Sequence, residues 1–192
     1  MMLRFKFFLL FFFTLGIFSC QPIEILNKIV FDYKLLPTIE ISAKQINIID
    51  LHESKYVEPY IDYSLNNPPS EYLIKWFKNN IDNIGVQNKL VINILDASLK
   101  KTEILNEKAK KYEEKSFFLF ELNFLVQYIL FDDSDFILAK TIVEANRTTT
   151  SGKFISIMES NLIIDNLILE SLRDFSSKSD ELIQVYMRNF VL

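Results

Sequence analysis

The 192-residue chain predicts an α+β fold: a mainly antiparallel four-stranded sheet with two helices packed on one face, in the order β-α-β-β-β-α. Three stretches carry this expectation. Between residues 117 and 131, Phe118, Phe120, Leu122, Phe124, Val126, Tyr128 and Leu130 occupy every second position, the period of a half-buried strand. Asp132-Asp133-Ser134-Asp135 then turns the chain back into a second alternating run. Ser156 and Glu159 have the spacing of a capping box and open a long helix with an apolar stripe. Such a sheet and such helices bury their apolar faces against each other.

The other elements follow in order. Thr38–Asp50 predicts the first strand, with Ile39, Ile41 and Ala43 on one face. The phase slips by one at Lys44-Gln45, after which Ile46 and Ile48 carry the apolar face, as a β-bulge allows. His52–Asn67 is a polar loop bearing Tyr56, Tyr60 and Tyr63. Pro68-Pro69 suits a first helical turn, Leu73, Trp76, Phe77, Ile81 and Ile84 share a helical face, and Gly85 is placed as the stop. Lys89–Ser98 predicts the second strand, and the lysine-rich passage to Lys115 either extends it or loops. Phe117–Phe131 is the third strand and Phe136–Arg147 the fourth, with Thr148–Lys153 as loop. The last helix carries Ile157, Ile164, Ile168, Leu172 and Phe175, pauses at Ser176-Ser177 and resumes through Leu182, Ile183, Tyr186 and Phe190.

The first twenty residues have a different character. Arg4 and Lys6 precede an almost wholly apolar run, Phe7–Phe18, and Ser19-Cys20 follow. A basic start, an apolar core and a small residue before a processing point are the parts of a secretory signal. As a helix, Phe7–Phe18 spans roughly 18 Å, short of the roughly 30 Å hydrocarbon core of a bilayer. Ile17-Phe18-Ser19-Cys20 resembles a bacterial lipobox, with Phe18 bulkier than the usual occupant. Cleavage before Cys20 would free the amine, and acyl chains on its sulfur and nitrogen would anchor the chain, since two or more chains hold stably where one is marginal. The expected division is a signal peptide over 1–19, a lipidated tether over 20–37 and one α+β domain over 38–192. A plain secretion signal and a retained anchor are the competing readings.

Cys20 is the sole cysteine, so the domain forms no internal disulfide. Residues 1–19 hold two of the 21 basic residues and no acidic one, leaving 19 against 25, a formal charge of −6. That balance argues against a nucleic-acid partner and against a polybasic membrane patch. The wealth of Ile, Asn, Lys and Phe reads as an AT-rich base composition.

No reaction is legible. His52 is the sole histidine, so a metal cluster or a Ser-His-Asp triad would rest on one loop residue. Asp132, Asp133 and Asp135 lack the glycine and distal glutamate of a calcium loop. Asn146-Arg147-Thr148 has the form of a glycosylation sequon, without meaning behind a bacterial signal. Glu121 and Asp96 lie on strands with no pairing visible in sequence. The tyrosine loop and the unpaired sheet edges are the candidate partner surface, because tyrosine suits interfaces; its other common use is to cover a sheet rim.

Five stretches in order, PPSEYLIKWFKNNIDNIG (68–85), VINILDAS (91–98), AKKYEEKSFFLFELNF (109–124), VEANRTTT (143–150) and LRDF (172–175), resemble a family of small alphaproteobacterial lipoproteins. The resemblance covers about residues 60–190 and implies no catalytic residue, cofactor or metal. The expected topology is also similar to outer-membrane lipoproteins that assist envelope machines: the one that plugs the lipopolysaccharide-export barrel, and auxiliary lipoproteins of lipid-transport systems. The leading expectation is a lipid-anchored, non-catalytic periplasmic subunit on the outer membrane that binds an envelope protein or lipid, Gln21 after the cysteine being compatible with that sorting. A lipid carrier, with the Phe-rich face of 117–131 and the last helix lining a cavity, is the alternative. A periplasmic hydrolase comes third.

Overall fold

A computed structural model describes residues 29–191; the expected signal segment and Cys20 lie outside the described residues. The strands are β1 (Ile39–Ile41), β2 (Gln45–Asp50), β3 (Ile81–Asn83), β4 (Lys89–Asp96), β5 (Leu99–Leu105), β6 (Ser116–Phe131) and β7 (Ile137–Gly152). The helices are α1 (Pro69–Asn80) and α2 (Ile157–Tyr186). The architecture is α+β, and among the described residues the main sheet has five strands rather than the expected four, mainly antiparallel with one parallel pair. β6 is its spine. β7 pairs antiparallel along the whole of one edge, while β4 and β5 lie end to end, antiparallel, on the other. β2 joins β4 in parallel, as a strand must when a helix carries the chain back to the same end.

The single strand expected over Thr38–Asp50 is two strands in two sheets. β1 pairs in parallel with β3, and the slip at 42–44 is where the chain changes sheet. There Ser42 donates its N–H to Phe190 O and Lys44 donates to Gln87 O, so neither bonds a neighbouring strand. The expected helix also ends early. α1 stops at Asn80, whose side chain donates to the carbonyls of Tyr33 and Leu36, and the β-branched Ile81 enters β3. Gly85 is therefore not a helix stop. It packs against the backbone of residues 42–43, where a Cβ would stand 2.6 Å from Ala43 N.

The lysine-rich passage extends the second strand to Leu105, after a break at Ala97-Ser98. The fourth strand runs five residues further than expected, since Thr148, Thr149 and Thr150 are β-branched and pair with β6. α2 shows no pause. Ser171, Ser176 and Ser179 are buried on its sheet-facing side, so these serines interrupt the apolar stripe without interrupting the helix. The capping box forms as expected: Ser156 Oγ accepts from Glu159 N at 3.1 Å, and Ser156 N donates to Glu159 Oε2 at 2.7 Å.

Both helices cover the face of the sheet that bears the even-numbered residues of β6. The core is an aromatic cluster centred on Phe175. Its ring meets Phe124 and Trp76 at 5.8 Å and Phe77 at 6.3 Å, all edge-on, and Phe77 meets Tyr128 at 6.1 Å. Tyr128 is wholly buried, with Oη 3.1 Å from Ser179 Oγ, and burial pushes its phenol well above the ordinary range. Residues 29–37, expected as the end of a tether, pack on the domain: the Phe31 ring meets Tyr72, tilted, at 4.4 Å and Leu36 is buried.

Candidate functional site

Among the described residues no helix covers the opposite face of the sheet. Along β6 its residues are Phe117, Leu119, Glu121, Asn123, Leu125, Gln127, Ile129 and Phe131, every one half-exposed. Cross-strand neighbours extend apolar surface at one end: Val91 lies beside Ile129, and Ile49 and Ile142 flank the Asn93–Gln127 pair, which is hydrogen-bonded at 3.2 Å. At the centre the face turns polar. Asp96, Ser98, Lys100, Asn123, Glu144 and Asn146 line an open cleft of about 530 Å³ with His52, Lys55 and Tyr60 on its rim.

The rim is the tyrosine loop. It runs along the free side of β5, where Ile61 N donates to Leu99 O, Lys101 N donates to Pro59 O, and Tyr60 forms a bridge to Lys100. The three tyrosines take different roles. Tyr56 and Tyr63 form an exposed pair, their rings tilted at 48° with centroids 5.2 Å apart, and Tyr56 is 78% accessible. Tyr60 is half-buried. Lys55 Nζ stands 4.5 Å from its ring centroid and donates to its hydroxyl at 3.1 Å, and Lys100 approaches the same ring at 5.5 Å.

Beneath the loop, the structure joins three residues that sequence leaves apart. The His52 side chain, 7% exposed, lies between two carboxylates: Nε2 is 3.3 Å from Asp62 Oδ2, and Nδ1 is 3.3 Å from Asp96 Oδ1. Asp62 is 1% exposed, and its Oδ1 has no protein partner among the described residues. Bonding to Asp96 raises the His52 pKa above the ordinary imidazole value; burial opposes this and Asp62 adds to it. Burial raises Asp96 in turn, but bonds from His52, Asn123 and Ser98 outweigh it and hold the carboxyl at about 2. Ala97 N also approaches Nδ1 at 3.3 Å, a bond only the neutral ring can accept. Protonation therefore turns Nδ1 from the Ala97 amide to the Asp96 carboxylate.

This geometry clamps more readily than it catalyses. Both imidazole nitrogens are engaged, and Ser98 Oγ donates to Asp96 at 2.9 Å instead of facing the ring. A nucleophile-base pair needs the hydroxyl on the imidazole. Among the described residues no group of three or more His, Cys, Asp or Glu side chains could hold a metal ion. The acidic turn serves the backbone and neighbouring lysines: Asp132 Oδ1 accepts from Ser134 N and Phe136 N, Asp133 pairs with Lys44, and Asp135 pairs with Lys89. Arg147, in the sequon-like triplet, binds Asp174 at 2.5 Å and ties β7 to α2. The Phe-rich lining expected for a lipid cavity is the packed core, with Phe120, Phe124, Tyr128 and Phe175 all inaccessible.

Among the described residues, the fold and site define an α+β domain with one sheet face left open and a polar cleft at its centre. Neither protein-family models nor curated proteins give a match, and the alphaproteobacterial resemblance gains nothing from them. Among solved structures the chain is similar to a minor lipoprotein from Acinetobacter baumannii, at 12% identity and a TM-score of 0.41, over 78% of this chain and 96% of that one. It is also similar to the rare lipoprotein B from Shewanella oneidensis, at 13% identity and a TM-score of 0.36, over 72% and 98%. Likeness at this level carries no argument about family or activity.

Proposed function

We propose that the chain is a lipid-anchored, non-catalytic subunit on the periplasmic face of the bacterial envelope, on the outer membrane, that works by binding a protein partner. One observation carries this reading: Cys20, the sole cysteine, stands directly behind Ser19 at the end of the apolar run. No helix among the described residues is long and apolar enough to cross a membrane. The open sheet face supports binding, because a sheet covered on one side leaves a broad, half-apolar surface for another chain. The exposed Tyr56–Tyr63 ring contact at its rim adds aromatic area of the kind interfaces use. The occupied nitrogens of His52 favour a structural role for the polar cleft over a hydrolytic one. The packed Phe face favours a protein-binding subunit over a lipid carrier.

The test is a photo-crosslinking residue placed in the living cell at Leu125 or Ile142 on the open face, with Gln184 on the exposed side of α2 as control. We expect a discrete protein adduct from the two sheet positions and none from Gln184. Equal, diffuse labelling at all three positions would contradict a partner-binding sheet face.

A further inference from the structure

The corner between β7 and α2 exposes large apolar side chains that the fold does not use. Phe154 is 84% accessible, Ile157 82% and Met158 59%. The helix start is already satisfied by the Ser156–Glu159 box. A hydrophobic staple would need an apolar side chain four positions into the helix, and Ser160 stands there. Three such side chains at one protruding corner point to an apolar phase outside the protein.

Where the chain enters the domain identifies that phase. Met158 and Leu162 line one groove with Tyr72, and the Phe31 ring packs against Tyr72. The N-terminal segment thus meets the domain beside this corner. Cys20 precedes Ile29 by nine residues, which reach at most about 32 Å when fully extended. An acyl chain on Cys20 would hold the corner against one bilayer surface at high effective concentration. The neighbouring loop, residues 106–115, leans on the end of β7, with the Glu114 carboxylate 3.0 Å from where a Gly152 Cβ would sit, and it presents Tyr112 almost fully exposed. Phenylalanine and aliphatic side chains at the acyl boundary, with tyrosine at headgroup level, are the anchors an interface takes.

Resting on the Cys20 reading, we infer that Phe154, Ile157 and Met158 insert into the leaflet that holds the lipid anchor, fixing the domain's orientation on the membrane. Charge contributes little to this contact. The loop sets four lysines against three glutamates, and Lys153 is paired with Glu103 at 2.6 Å. Insertion is therefore insensitive to salt and to the anionic lipid fraction.

The test uses the full acylated protein in vesicles of phosphatidylethanolamine and phosphatidylglycerol. With the Cys20 sulfur acylated, a Met158→Cys variant takes an environment-sensitive fluorophore at one site. Val185→Cys is the control, 27 residues along the same helix and about 40 Å away. We expect a blue shift and quenching by nitroxide lipids at 158 and none at 185. Adding Phe154→Ser with Ile157→Ser should cut the inserted fraction about fivefold or more, with the acyl mass unchanged. Vesicle-bound, acylated protein whose probe at 158 stays as wet as at 185 would overturn the insertion and leave the anchor standing. A mass without acyl chains would overturn the anchor reading, and the tethered insertion with it.

Discussion

Replacing Phe175 by alanine is expected to destabilise the domain by about 3–5 kcal/mol, the range for removing a buried aromatic ring from a core that cannot collapse into the space. The ring touches Phe124 of β6 and Trp76 and Phe77 of α1, so it joins the spine of the sheet to both helices. None of its neighbours can follow it inward. Trp76, Phe77 and Phe124 are themselves at most 1% accessible, and each is held by the element that carries it. Urea unfolding of the domain measures the cost. A loss under 1 kcal/mol would mean that the helix layer does not depend on this cluster. Phe175→Leu, which keeps much of the volume, should lose about half as much.

Replacing His52 by alanine is expected to cost about 3 kcal/mol, because it strands the Asp62 carboxylate, 1% exposed, without its counter-charge. The pH dependence sets this apart from ordinary packing loss. His52 has a folded pKa raised above its unfolded value near 6.5. Its ionic contribution is therefore complete below about pH 6.5 and fades as pH rises through the folded pKa. Asp96 acts at the other end: held at about 2 against an ordinary 3.8, its contribution is present above 3.8 and is lost as pH falls through 2. The gap between wild type and His52→Ala should accordingly be widest at mildly acidic pH and narrow above neutrality. A gap that stays constant from pH 5 to 9 would mean that the imidazole acts by shape alone.

Much of this architecture was legible where one physical signal dominated. The alternation in 117–131, the aspartate turn and the Ser156–Glu159 box each act locally, and each appears where expected. The errors arose where two structures share one pattern. A one-residue slip at 44–45 looks the same in a bulged strand as in a chain passing between sheets, and only the partners, Phe190 and Gln87, decide it. Ile81 and Ile84 fit a helical period, yet Asn80 is drawn away to cap the Tyr33–Leu36 turn and the helix stops there. Ser176-Ser177 read as a polar break, though the helix runs through them unbroken and Ser176 Oγ bonds back to Arg173 O. The site was legible only in part. Tyr56 and Tyr63 are exposed as an interface would need, while Tyr60 covers the rim. The link between His52, Asp62 and Asp96 leaves no trace in sequence, because a loop and a strand 44 residues apart must first meet.

The membrane anchor depends on where the chain is cut and what Cys20 carries. The decisive measurement is the intact mass of the full protein extracted from membranes, beside a Cys20→Ser variant. A mass equal to residues 20–192 plus acyl chains, absent from the variant, is the predicted result. An uncleaved mass, or a cleaved but unacylated one equally present in the soluble fraction, would contradict the anchor and with it the orientation of the domain on the membrane.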